Sequence, residues 1–170
     1  MGPPHARGAD SSNAKESQLK AAFIFNFLKF AEWPAHRFSE TNSPFVIGVI
    51  GTSPITAALE AAVKHRKING RELIVKSMET VEAARAAHLL FVPATEERRS
   101  EDWLPTLASA SILTVGESDA FATHGGMINF LLDDDRLRFD INIGSAEGAG
   151  LKVSAQLQKL ARTVRRNPRE

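Results

Sequence analysis

The sequence predicts an α/β fold: a single domain with a mixed, mostly parallel sheet of about six strands flanked by helices. Three observations carry this. Short, nearly continuous apolar runs at Phe45–Gly51, Leu89–Val92 and Ile112–Val115 read as strands covered on both faces. Helical segments alternate with them, as in parallel βαβ units. Two further strands then follow one another without a helix, so a hairpin closes the sheet. At 170 residues the chain has the length of one domain.

Met1–Ser12 is rich in Gly, Pro, Ser and Ala and nearly free of apolar residues. Residues 1–15 are read as a disordered leader, residues 16–166 as the domain and residues 167–170 as a tail. The leader lacks the apolar core of a signal peptide. Ser17–Glu32 is a helix stopped by Pro34. Leu19, Phe23, Phe27 and Phe30 form its stripe, and Ile24, Phe25 and Leu28 add apolar surface beside it. Such a helix is covered on more than one side, by its own core or by another chain.

After the first strand, Ser53 and Pro54 suit the start of a helix running to about His65. Asn69-Gly70 is a turn, and Glu72–Ser77 is the second strand. Thr80–Ala87 and Arg99–Ser109 are helices, and Ser118–Thr123 is one helical turn before Gly125-Gly126. Met127–Leu132 and Leu137–Ile143 flank a four-residue loop, Asp133–Arg136. In the second of these strands Leu137, Phe139, Ile141 and Ile143 face one way, and Arg138, Asp140 and Asn142 the other. A last helix spans about Lys152–Arg166, with Leu157, Leu160, Ala161 and Val164 as its stripe.

Composition narrows the function. Lys plus Arg is 21 against 20 for Asp plus Glu, a net charge of +1, which argues against a nucleic-acid binder. No apolar run reaches the length of a membrane helix. Without cysteine there is no disulfide, thiolate catalysis or cysteine metal site. No two of His5, His36, His65, His88 and His124 stand at helical metal-pair spacing. Dinucleotide and P-loop fingerprints and the hydrolase elbow are missing, so no catalytic residue, metal or cofactor is assigned. The turn after the first strand is either an ordinary cap or an anion site. Asp133-Asp134-Asp135 lacks the spacing of a calcium loop and reads as a solvated turn. His124 has no visible catalytic partner.

Two features remain. The basic C-terminal segment carries Lys152, Lys159, Arg162, Arg165, Arg166 and Arg169; it is a solvated face or a surface for an acidic partner or an anionic lipid surface. The polar strand face of Arg138, Asp140 and Asn142, with Lys152 and Ser154 on the return path, is either an internal ion network or a site for a small zwitterion.

Several motifs together resemble the YfiR-like family of periplasmic proteins. They are Lys20-Ala21-Ala22-Phe23, Asn26-Phe27, Lys29-Phe30 and Glu32-Trp33-Pro34, followed by Val49-Ile50-Gly51 with Ser53-Pro54 and by Asn69-Gly70-Arg71. Leu90-Phe91-Val92, Leu113-Thr114-Val115 and Gly125-Gly126-Met127-Ile128 continue the match. Arg138-Phe139-Asp140-Ile141-Asn142 and Gly150-Leu151-Lys152-Val153-Ser154 complete it. The resemblance implies a non-enzymatic periplasmic regulator and a homodimer. Its partner would be the periplasmic part of a membrane diguanylate cyclase or sensor kinase, which it represses, lowering cyclic di-GMP signalling and biofilm formation. It also implies a small-molecule pocket, carried here onto Asp140, Asn142, Lys152, Ser154 and Arg138. The partner surface expected beside it is Phe25, Leu28, Trp33 and Leu151. Many relatives carry cysteines where this chain has Gly48 and Ala87, and Phe25 stands where Tyr is common.

Overall fold

The computed structural model describes the backbone of residues 4–166 and side chains from residue 13 onward. Residues 1–3 and the expected tail, 167–170, lie outside the described residues, and Arg169 with them. Helix α1 (Pro4–Phe30) runs into a two-residue strand β1 (Ala31–Glu32). The core order is then β2 (Phe45–Ile50), α2 (Ile55–Val63), β3 (Lys67–Ile68), β4 (Arg71–Met78), α3 (Val81–Ala84), β5 (Leu89–Val92), α4 (Glu97–Leu107), β6 (Leu113–Gly116), α5 (Asp119–Thr123) and β7 (Ile128–Asp133). The chain closes with β8 (Arg136–Asn142), α6 (Ile143–Gly148), β9 (Lys152–Val153), α7 (Ala155–Leu160) and β10 (Thr163–Arg165).

The main sheet has eight strands in the order β10-β8-β7-β6-β5-β2-β4-β3. Its centre, β4-β2-β5-β6-β7, is parallel, and β8 pairs antiparallel with β7. The α/β class, the mostly parallel sheet and the closing hairpin are those the sequence predicts. Strands β3 and β10 at its two edges lengthen it beyond the expected number. From β2 the chain crosses first to β4 and then back past β2 to β5, so the crossovers cover opposite faces. One face buries α1 and α2 around Ile24, Phe27, Leu28, Leu59, Ile47 and Phe91. The other buries α3, α4 and α5 around Leu90, Leu104, Leu107 and Phe121.

Four sequence expectations need correction. Helix α1 begins at Pro4, not Ser17, and takes in residues assigned to the leader. Proline suits a first helical turn, and the Ala, Ser, Asn, Lys and Glu that follow allow it to continue. The hairpin loop has two residues, not four. Asp134 and Asp135 both take positive φ, 56° and 62°, the geometry of a tight turn matched to strand twist. The last helix is three elements instead of one. Ser154 caps α7 by accepting from the Leu157 N–H, Ala161 turns extended, and Thr163–Arg165 joins β8 in parallel. β-Branched Thr163 and Val164 favour that strand. Finally, Ala31 and Glu32, expected in the first helix, form strand β1, whose pairing with β9 brings Glu32 opposite Lys152 and ties the end of α1 to the C-terminal return.

Gly48 and Ala87, where the resemblance places cysteines, are neighbours: a Cβ at Gly48 would lie 3.1 Å from that of Ala87. With no thiol at either, the contact here is one of packing only.

Candidate functional site

In open parallel sheets, ligands collect at the carboxyl ends of the strands where the crossovers change direction. Here that point lies between β2 and β5, next to the turn after β2. Gly51, at φ 70°, passes so close to Glu96 that a Cβ would meet Oε1 at 2.5 Å. Arg99 holds the same carboxylate at 3.3 Å. A negative group already occupies the turn after β2, which disfavours the anion site considered there. Ser53 Oγ accepts from the Ile55 N–H at 3.3 Å, the ordinary capping role. Among the described residues no group of His, Asp and Glu is placed to hold a metal ion.

The polar face of β8 is bonded internally. Asp140 accepts two hydrogen bonds from Arg162, at 3.0 and 2.7 Å, a bidentate ion pair that pins β10 to β8. Asn142 is buried, and its Oδ1 caps α6 by accepting from the Ser145 N–H at 3.0 Å. Asp140 and Asn142 share a recess with Asn129 and Arg165, of about 20 Å³, room for a water. Ser154 is a helix cap, Lys152 is exposed opposite Glu32, and Arg138 lies 3.8 Å from Asp133 near the hairpin turn. None of these three lines the recess. The expected ligand residues are therefore divided, and the structural alternative describes Asp140, Asn142 and Ser154.

The expected partner residues are core. Leu28 and Leu151 are buried, and Phe25 is buried beneath Arg66, whose guanidinium sits 3.6 Å from its ring centre. Trp33 is half-buried and donates through Nε1 to the His88 carbonyl at 2.8 Å. Around these residues the first helix is covered by α2, by the return segment and by Arg66.

Trp33 belongs to a clamp that the sequence did not reveal. His88 Nδ1 accepts from the Val46 N–H at 3.0 Å, and Nε2 donates to the Arg37 carbonyl at 3.0 Å. Its ring stacks on Phe38 at 4.5 Å, and the Arg71 guanidinium also lies over the Phe38 ring, 3.8 Å from its centre. Arg37 donates to the Ser111 and Ala87 carbonyls. Burial pushes the His88 pKa down to about 4; the bond to the Arg37 carbonyl opposes this, and the Arg37 and Arg71 charges add to it. A neutral, doubly bonded ring is a structural pin, locking the 33–44 segment over the start of β2 and β5.

What remains open is a surface. Phe23 and Phe27 pack on Phe130 and Phe139 with ring centres 5.0–6.0 Å apart, sealing α1 onto the β7–β8 hairpin. Leu132 and Leu137 extend the same hairpin face by one cross-strand pair, and Leu19 lies one helical turn before Phe23. There the seal ends: Leu132 is 58% and Leu19 53% exposed. Glu16, Lys20 and Glu117 rim the opening, with Lys20 2.6 Å from Glu117 and 3.1 Å from Glu16. The sequence places Leu19 in the core stripe of the first helix; its spacing is helical, but the side chain is exposed.

Residues 17–162 match the family model described as YfiR/HmsC-like. No curated protein matches the chain. Among solved structures, the crystal structure of a conserved domain protein from Vibrio cholerae O1 biovar El Tor str. N16961 has a similar fold. Its TM-score is 0.59 at 12% identity, over 88% of this chain and 60% of that one. This chain therefore spans less than two thirds of that protein.

Proposed function

Because the chain belongs to the YfiR/HmsC-like family, we propose that it is a periplasmic regulator rather than an enzyme. It binds the periplasmic part of a membrane-bound diguanylate cyclase, or of a sensor kinase, and represses it, which lowers cyclic di-GMP output. The family match over residues 17–162 is the observation that carries this reading. Two features support it. At the turn after β2, near where such a fold usually holds a ligand, the Glu96 carboxylate lies against Gly51. An opening lined by Leu131, Leu132 and Leu137 with Glu16, Lys20 and Glu117 at its rim, together with the exposed Leu19 next to Lys20 on α1, is the arrangement expected of a protein-binding surface. The partner surface is therefore moved from the buried Phe25, Leu28 and Leu151 to the open end of the α1–hairpin seam.

A small-molecule receptor built on Asp140, Asn142, Lys152, Ser154 and Arg138 has less support, because internal bonds already engage Asp140, Asn142 and Ser154. The proposal extends to a homodimer, which sedimentation would read. The test of the main reading is calorimetric titration of the chain into the periplasmic domain of a membrane diguanylate cyclase encoded beside it. Binding in the micromolar range or tighter is expected. Absence of heat and of co-sedimentation with every such neighbour would overturn it.

A further inference from the structure

We propose that a second region, a cleft between α4 and α6, binds an uncharged, mostly apolar small molecule of ring size. This goes beyond the partner-binding reading and does not rest on it. The cleft lies at the opposite end of the sheet from the turn after β2, where α4 returns to β6 and where β8 leads into α6. Its volume is about 640 Å³, within the range of small-ligand sites.

The floor is buried and apolar, made by Leu104, Leu107 and Met127. No Asp, Glu, Lys or Arg lines the cleft, so a charged occupant would lose hydration without gaining an ion pair. The polar groups are few and lie on the walls. Thr114 Oγ1 is engaged by the Met127 N–H at 3.1 Å, which leaves Ser145 and His124 as the side chains for a ligand. His124 Nδ1 is 2.6 Å from the Ala120 carbonyl, a contact that requires the proton on Nδ1. In that tautomer Nε2 is an acceptor. A ring carrying one hydrogen-bond donor fits this set.

Two glycines in the lining have room for a side chain. A Cβ on Gly148 would meet nothing within 4 Å, and one on Gly125 would meet only Ser145 Oγ, at 4.0 Å. Gly148 has no positive φ, so a side chain can be added there without backbone strain. Ala108, exposed on the facing wall, allows a second filling substitution.

The test uses the whole chain with p-cresol, a neutral ring bearing one donor, and benzoate, its charged counterpart, read by amide chemical shifts. p-Cresol is expected to give saturable shifts at Gly125, Ser145 and Gly148 in the millimolar range. Benzoate should bind about tenfold more weakly or worse, and Gly148→Leu and Ala108→Leu should each weaken p-cresol about tenfold or more with the fold intact. Unsaturable shifts, equal binding of benzoate, or undiminished binding in both folded variants would overturn the proposal. So would a change of oligomeric state in Gly148→Leu with no loss of p-cresol binding, since the cleft would then hold a second copy of the chain.

Discussion

The seam between α1 and the β7–β8 hairpin has two ends built from the same helix and the same strands, and they differ in what covers them. At one end Phe23, Phe27, Phe130 and Phe139 close on each other, with Phe27, Phe130 and Phe139 buried. At the other, one helical turn and one cross-strand pair away, Leu19 and Leu132 are left more than half exposed, and Glu16, Lys20 and Glu117 rim the opening at Leu132. Apolar content alone does not separate the two ends. What separates them is whether the chain's own geometry supplies a lid. The closed end specifies the fold, and the open end is free for another molecule.

The largest effect lies at the closed end. Phe27→Ala should cost about 3–5 kcal/mol of unfolding free energy, measured by denaturant titration, because it empties a packed aromatic cluster. A loss below about 1 kcal/mol would mean that the seam does not hold the fold together.

A smaller effect should come from the clamp. The folded His88 pKa, about 4, lies below the ordinary value near 6.5. The unfolded chain therefore binds the extra proton first. His88's contribution is complete above about pH 6.5 and is lost as pH falls toward 4, up to about 3 kcal/mol in all. His88→Gln should flatten that part of the stability–pH curve, seen by comparing the two proteins at pH 7 and pH 4.5. Parallel curves would remove the clamp from the account.

Smaller still is the C-terminal latch. Asp140→Asn removes the acceptor charge for Arg162 and should loosen β10, read as faster hydrogen exchange at the Arg162 and Val164 amides with little change in global stability. The least effect on stability belongs to the open end. Leu132→Asp should change unfolding free energy by no more than about 0.5 kcal/mol, since the side chain is already in water.

How much of this is legible in the sequence depends on the kind of information each part needs. Strand β5 is read residue for residue, because four apolar residues between turn signals have one use in a buried parallel sheet. The last helix is misread because Leu157, Leu160, Ala161 and Val164 keep helical spacing, while the decisive facts are non-local. β8 offers a free edge, the Arg162 N–H donates to the Phe139 carbonyl at 2.8 Å, and Asp140 awaits its guanidinium. Phe25 and Leu28 are recognisable as excess apolar surface, but spacing cannot say that Arg66 and α2 cover them. Glu96 over Gly51 and the His88 clamp join residues tens of positions apart and leave no local signature.

The central claim is that the open end of the seam, and not the buried face of α1, meets the partner. The most direct measurement is calorimetric titration of the cyclase's periplasmic domain with wild type and with the Leu19→Asp/Leu132→Asp double variant, both verified as folded. The account predicts binding by the wild type and a loss of about tenfold or more in the double variant. Unchanged affinity in a folded double variant would contradict it and shift the surface elsewhere on the molecule.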